Sequence, residues 1–198
     1  NRQLETLVTI SKLIREAQEK VTGDYFAANN TNDDLKLADG GTGSTAYGEA
    51  VGVYLALALD RLAMTDNSLA RWNSTGQKIQ HCFGRQALPM VWDFAEANPF
   101  CNATGSVSAA IYYSYDILNY LPLGISGHAR QWDAQSDNGL QNIVVSTDPP
   151  YYDNIDYADL SDFFYIWLRR SLRQTYPKLF STMLVPKEEE LVAIPYRD

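Results

Sequence analysis

The residues whose types and spacing best suit chemistry are four consecutive ones, Asp148, Pro149, Pro150 and Tyr151. An amino group attached to an aromatic base is a weak nucleophile, because its lone pair is delocalised into the ring. The carboxylate of Asp148 and the backbone carbonyl of Pro149 can each accept a hydrogen bond from one of its two N–H groups. Together they hold the nitrogen pyramidal. The lone pair then points at an incoming electrophile, and the acceptors stabilise the positive charge that develops on nitrogen.

The remaining parts of this tetrapeptide fit the same chemistry. Proline fixes φ, so Pro149 and Pro150 hold the loop stiff, and Tyr151 offers a flat face to an aromatic base. A base inside a duplex is reached only after it has swung out of the stack, and stacking on an aromatic side chain is worth about 1–3 kcal/mol. The same four residues also occur in ordinary turns, so their surroundings have to decide between the two interpretations.

The surroundings of the tetrapeptide favour the catalytic interpretation. The β-branched run at 142–147 is typical of a buried parallel strand, and the pattern at 159–176 predicts a helix. Ligands of open α/β sheets bind beyond the carboxyl ends of the strands, which is where Asp148 is predicted to lie. Tyr152, Asp153 and Asn154 continue the loop and are predicted to shape the base pocket, where Tyr152 and Asn154 contact DNA.

The chain before this loop is predicted to be mainly helical. Apolar residues recur at three- and four-residue steps over 4–21, which indicates an amphipathic helix that Gly23 is expected to end. A helix over 46–63 is apolar on nearly every side and is predicted to be central and buried. A short helix is expected at 91–97 and a longer one at 105–121.

Composition and charge limit the classes of function. The chain has 198 residues, of which 45% are hydrophobic and 20% charged, as in a soluble globular protein of one domain or one domain with an appendage. Its formal net charge of -8 argues against this chain providing the main DNA-binding surface. Most non-specific affinity for DNA comes from Lys and Arg side chains that neutralise phosphates. An active-site module whose DNA contacts lie elsewhere stays compatible with this charge.

The remaining compositional signals predict neither a metal site nor a membrane segment. The two cysteines form no CxxC pair, and His81 beside Cys82 is not a zinc site. No signal peptide is visible, and the longest apolar run is too short to cross a membrane, so a cytoplasmic location is expected. The first residue is Asn1 rather than methionine, so the chain is expected to be an internal fragment of a longer protein.

Long stretches spread over nearly the whole chain resemble the large bacterial and archaeal adenine-specific DNA methylases that also carry a zinc-ribbon insertion. The matching stretches are ADGGTG at 38–43, EAVGVYLALALDRLA at 49–63, FGRQALPMVWDFAEANPF at 83–100, STDPPYYDNI at 146–155 and YADLSDFFY at 157–165.

The resemblance implies an α/β fold, a partial Rossmann-like S-adenosylmethionine-dependent methyltransferase core with a large helical portion. Residues 1–122 are expected to be the mainly helical segment and residues 123–198 the core segment with the loop. The implied activity is methyl transfer from S-adenosylmethionine to the N6 amino group of a flipped adenine in DNA, with 148–151 as the catalytic motif. Methylation of N4 of cytosine or of another amine or amide is one alternative, and a non-catalytic module that positions DNA or a partner is another.

Two further contacts are predicted outside the loop. Asp133 follows a candidate short strand at 127–132, and in the family an acidic residue at the end of such a strand contacts the adenosyl part of the donor. A turn-capping role for Asp133 is an equal alternative. Arg85 and Gln86 suit phosphate or base edges, so Arg85 is predicted to contact DNA, with hydrogen bonds that pin a loop as the alternative.

Two parts of the family pattern are missing from this chain. The strand and glycine-rich loop that form the main donor-binding motif are expected upstream, and the zinc ribbon is absent. The isolated chain is therefore expected to bind the donor weakly or not at all, and the remaining domains of the parent protein are expected partners.

Overall fold

The structure, a computed structural model, describes residues 2–85, 87–121, 124 and 127–193. Its α-helices are α1 (Arg2–Asn29), α2 (Ser44–Ala63), α3 (Val107–Asp116) and α4 (Tyr157–Leu172). Strands β1 (Arg71–Asn73) and β2 (Lys78–Gln80) pair as an antiparallel hairpin, and short 3-10 helices occupy Leu37–Asp39 and Ile117–Tyr120. The described residues thus form a mixed, mainly helical fold with a small two-stranded sheet. None of the described helices is long and apolar enough to span a membrane.

The helix α2 lies at the centre of the fold and packs against α1, α3 and α4. Leu59 and Leu62 of α2 are almost fully buried and share one core cluster with Leu7 and Ile14 of α1. The prediction of a central, buried helix here is confirmed. Its apolar character on nearly every side is explained by three helical neighbours, each of which needs an apolar face to pack on.

The helices α1 and α2 are antiparallel and approach closely at Gly48. A Cβ atom placed on Gly48 would lie 2.0 Å from the Thr22 hydroxyl oxygen and 2.9 Å from the Gln18 carbonyl oxygen. Only a residue without a side chain fits this crossing, so the contact between the helices depends on glycine at position 48.

The first helix is longer than its sequence pattern predicts, because it continues through Gly23 to Asn29. A single glycine inside a helix costs only about 1 kcal/mol relative to alanine. The last turns of α1 are held by Tyr25, whose ring stacks on Tyr47 of α2 with the ring centroids 4.5 Å apart. Tertiary packing therefore overrides the helix stop that Gly23 was expected to provide.

The predicted helix at 91–97 is not formed. The backbone N–H of Ala95 donates to the carbonyl of Ala70, at 2.8 Å, rather than to a residue four positions earlier. The predicted helix at 105–121 is confirmed in part, since α3 begins after Ser106, whose hydroxyl accepts from the Ala109 N–H at 3.2 Å. Its last residues form the 3-10 helix instead.

The parallel strand predicted at 142–147 and the candidate short strand at 127–132 are not formed. Residues 127–132 and 142–147 do not pair with any described strand, and Val144, expected in a sheet, is 99% exposed. A strand buried in a parallel sheet needs a neighbour on each side to satisfy its backbone groups, and the described residues offer these segments no such neighbour. The α/β prediction holds only in the coarse sense that helices and a small sheet coexist, and the described residues contain no Rossmann-like sheet.

The predicted division between 122 and 123 falls on residues outside the described ones. The helix α4, which follows the loop, packs against α1 and α2. The hydroxyls of Ser11 in α1 and Ser171 in α4 are both buried and lie 3.3 Å apart. Helices from both predicted segments therefore share one packed body, and the division stays a prediction.

A buried carboxyl group on α2 makes stability depend on pH. Asp60 is 8% exposed, one of its carboxyl oxygens has no hydrogen-bond partner among the described residues, and burial raises its pKa from 3.8 to about 8. Between these two pKa values the unfolded chain releases a proton that the folded chain keeps, so stability falls as pH rises through this window.

We expect Asp60→Asn to stabilise the protein near pH 8 and to change its stability little below about pH 3, under both pKa values, where Asp60 is protonated in both states. Thermal unfolding of the variant and the parent chain across this range measures the effect. Asp24→Asn, on the exposed side of α1, serves as the control. A gain that does not grow with pH would contradict a protonated Asp60 in the folded state.

Candidate active site

The tetrapeptide predicted to carry the chemistry lies in an irregular loop that leads into α4. The Tyr152 N–H donates to the Pro150 carbonyl at 3.0 Å, and the Asn154 N–H donates to the Tyr151 carbonyl at 3.1 Å. Tyr152 has a φ of 56°, a left-handed conformation that is uncommon for a bulky residue. The loop is thus a sequence of tight turns rather than an extension of a strand.

The two proposed acceptors of this loop face solvent. Asp148 and Pro149 are exposed, Pro150 is half-buried, and the Tyr151 ring is 64% exposed. Among the described residues, none donates a hydrogen bond to the Asp148 carboxylate or to the Pro149 carbonyl oxygen. Both oxygens are therefore available to accept a hydrogen bond from a bound ligand. Tyr152 and Asn154, predicted to contact DNA, are also exposed.

The segment 182–193 runs back across the beginning of α4 and reaches the loop. The Glu190 carboxylate accepts from the Ala158 N–H at 2.8 Å, and the Ala193 N–H donates to the Tyr152 carbonyl at 3.2 Å. Because free N–H groups at the first turn of a helix need acceptors, Glu190 acts as a cap for α4. This segment therefore holds both the helix and the loop that precedes it.

A second attachment of the same segment lies one turn further along α4. The carboxylate of Asp162 accepts from the Val185 N–H at 2.8 Å and pairs with Lys187. Burial opposes ionisation of Asp162, but these two donors and the charge of Lys187 outweigh it, so the pKa of Asp162 lies below its ordinary value. The sequence analysis missed Lys187 and Glu190, since contacts between residues 25 to 32 positions apart leave no local pattern.

Asp133, predicted to contact the donor, caps a local turn. Its carboxylate accepts from the Gln135 N–H at 2.9 Å and from the Ser136 hydroxyl at 2.7 Å. These bonds, first that from Gln135, lower the pKa of Asp133 below its ordinary value. The turn-capping alternative describes its present contacts, and none of these contacts joins it to the loop at 148–151.

Neither Asp133 nor Asp148 lines any of five cavities found among the described residues. Asp133 is exposed and its carboxylate is engaged within its own turn. These five cavities are lined by residues between Arg2 and Tyr113. No three His, Cys, Asp or Glu side chains among the described residues are grouped as a metal site would require.

Arg85, predicted to contact DNA, shares no hydrogen bond and none of these cavities with the loop among the described residues. It is exposed and lines a cavity of about 340 Å³ together with Arg71 and His81. Gln86 lies outside the described residues. The structure thus gathers Tyr152 and Asn154 with the tetrapeptide, and it leaves Asp133 and Arg85 at separate places.

An aromatic contact joins the neighbourhood of Arg85 to the helix that follows the loop. The ring of Phe83 stacks on Phe164 of α4, with the ring centroids 5.1 Å apart, and meets the edge of Phe163 at 5.2 Å. Phe163 and Trp167 of α4 are partly buried and pack against the core cluster of α1, α2 and α3. Phe83 was not singled out from the sequence, because its partners lie 80 positions further along the chain.

Comparison of this chain with protein-family models, curated proteins and solved structures finds no match. The resemblance to adenine-specific DNA methylases therefore rests on the quoted stretches alone.

Proposed function

We propose that this chain carries the catalytic loop of a DNA methyltransferase that methylates the N6 amino group of adenine. The observation that carries the proposal is the exposed pair of acceptors, the Asp148 carboxylate and the Pro149 carbonyl, which none of the described residues occupies. Next to them the exposed ring of Tyr151 offers a face for a flipped base, as enzymes that act on bases within a duplex require.

In the proposed reaction the two acceptors receive hydrogen bonds from the two N–H groups of the adenine amino group. The nitrogen becomes pyramidal and directs its lone pair at the methyl group, for which S-adenosylmethionine is the expected source. The carboxylate of Asp148 stabilises the positive charge as it develops on nitrogen, which is where preorganised acceptors have their greatest effect. The proton leaves after transfer, so no strong base is needed beforehand.

The described residues contain no Rossmann-like sheet. We propose that further strands of the parent protein complete this sheet and the pocket for the methyl donor. Asp133 is proposed to reach the donor only when the segment around 142–147 pairs with further strands of the parent protein. The β-branched run at 142–147 and its present exposure fit a strand that finds its neighbours outside this chain.

The direct test supplies the full-length protein that contains this chain with S-adenosylmethionine labelled on the methyl group. Duplex oligonucleotides that lack adenine, or that lack cytosine, serve as acceptors. We expect labelling of every duplex that contains adenine, and none where adenine is missing. Labelling that disappears only when cytosine is missing would assign the loop to N4 of cytosine. Absence of labelling with both duplexes would leave the loop without the proposed activity.

A further inference from the structure

We propose that a basic cavity beside the β-hairpin binds the phosphodiester backbone of DNA. The cavity, called here the phosphate groove, lies between the hairpin, the end of α2 and the beginning of α3, and it has a volume of about 670 Å³. This inference rests on the proposed function in naming DNA as the phosphate-bearing ligand. The sequence analysis did not single out Arg61, Arg71 or Lys78, the three permanent cations of the groove.

The phosphate groove brings together three permanent cations from separate parts of the chain, Arg61, Arg71 and Lys78, together with His81. Arg71 and His81 also line the neighbouring cavity of about 340 Å³, which adds Arg85. Four cations therefore follow one continuous surface. None of the described residues that line either cavity is Asp or Glu.

The absence of carboxylates from this lining is informative because the chain as a whole is acidic. It has 24 Asp and Glu residues against 16 Lys and Arg residues. Within the described part, Arg61 lies over the ring of Tyr113 at 4.3 Å, and Arg71 donates to the neutral amide oxygen of Gln80. No ion pair to a described carboxylate neutralises these two guanidinium groups, so the groove keeps a positive potential that favours an anion.

Neutral groups of the groove also suit a phosphate. Thr104, Gly105 and Ser106 line it at the beginning of α3, where the helix dipole places its positive end. Thr65 and Gln80 also line the groove. Hydroxyl, amide and guanidinium donors are the groups that make most protein contacts to DNA phosphates.

The form of the surface favours a polymer over a single phosphate. The two cavities share Arg71, His81 and Gly84, so the cations extend from Arg61 on one side to Arg85 on the other. A row of cations of this kind matches the repeated charges of a DNA strand. Phe83, which lines the groove, also packs on Phe164 of α4, so a DNA strand held here would keep a fixed position relative to the helix that follows the catalytic loop.

The proposal is tested by DNA binding of the 198-residue chain, followed by fluorescence anisotropy of a labelled duplex over a range of salt concentrations. We expect the double substitution Arg71→Gln and Lys78→Gln to weaken binding and to reduce the slope of log K against log salt by about two, since each lost phosphate contact removes about one unit. Lys78→Gln alone, which leaves the Arg71–Gln80 contact in place, is expected to reduce the slope by about one.

The matched control is the double substitution Lys12→Gln and Arg15→Gln, which removes the same charge from the exposed side of α1. We expect this control to keep the slope of the parent chain. The proposal would be overturned if both double variants reduced the slope equally, or if Lys78→Gln did not reduce it. Thermal unfolding of all variants identifies any loss that comes from a damaged hairpin, and Lys78→Gln decides in that case.

Competition experiments separate the sources of phosphate. Inorganic phosphate and deoxyadenosine monophosphate are expected to displace the labelled duplex only weakly, whereas unlabelled duplex displaces it fully. Displacement by deoxyadenosine monophosphate as efficient as that by duplex would replace DNA with a free nucleotide as the ligand and overturn the proposal. None of these measurements depends on methyl transfer, so failure of the groove is distinguishable from failure of the catalytic loop.

Discussion

Replacing Asp148 with alanine in the full-length protein is expected to lower methyl transfer by about 10²–10³-fold or more, the usual cost of removing one preorganised group that stabilises transition-state charge. The proposed chemistry needs two acceptors, and the Pro149 carbonyl alone neither holds the amino nitrogen pyramidal nor balances its positive charge. The measurement is the initial rate of label transfer to duplex DNA with saturating donor.

The same substitution is expected to leave the free energy of unfolding within about 0.5 kcal/mol of the parent value, because exposed residues outside packed or bonded features contribute little. Asp148 is exposed and accepts no hydrogen bond from the described residues. Asp24→Ala removes an exposed carboxylate on α1, outside the loop, and is expected to retain transfer. Asp148→Ala with the turnover of the parent protein would rule out the catalytic role.

The second large effect concerns the core, where Leu59→Ala is expected to destabilise the protein by about 2–5 kcal/mol. Leu59 is 1% exposed and lies in the cluster that α2 shares with α1 and α3. Truncation removes buried apolar surface and leaves a cavity that rigid helices on several sides only partly close. Urea unfolding followed by circular dichroism measures the change in the free energy of unfolding.

The control for this effect lies two residues earlier on the same helix. Leu57 is 47% exposed, so Leu57→Ala removes the same atoms from a position where water already reaches them. We expect a change within about 0.5 kcal/mol. Similar losses for the two leucine substitutions would mean that α2 is not packed as described.

Prediction from the sequence succeeded where the signal was local and strongly periodic. The spacing of apolar residues in α1 and the apolar surface of α2 identified both helices, because a helix must present its apolar face wherever it packs. It failed at 142–147, where a β-branched run indicates a strand only if neighbouring strands are available. The described residues provide none, so the same side chains remain in water.

The candidate site divides in the same way. The roles proposed for Asp148 and Tyr151 in methyl transfer depend on four adjacent residues, so they can be predicted from the sequence alone. The capping of α4 by Glu190 and the meeting of Arg61 with Lys78 at the phosphate groove join residues that are distant along the chain. Residues that are distant along the chain come together only through the packing of the helices and the hairpin. No local sequence pattern therefore predicts these contacts.

The central position of α2 has a consequence for how the folded body comes apart. Because α2 touches each of the three other α-helices of the described residues, none of the three can detach without opening part of the apolar surface of α2 to water. Partly opened forms are therefore costly, and the helices are expected to lose their order together in one cooperative transition.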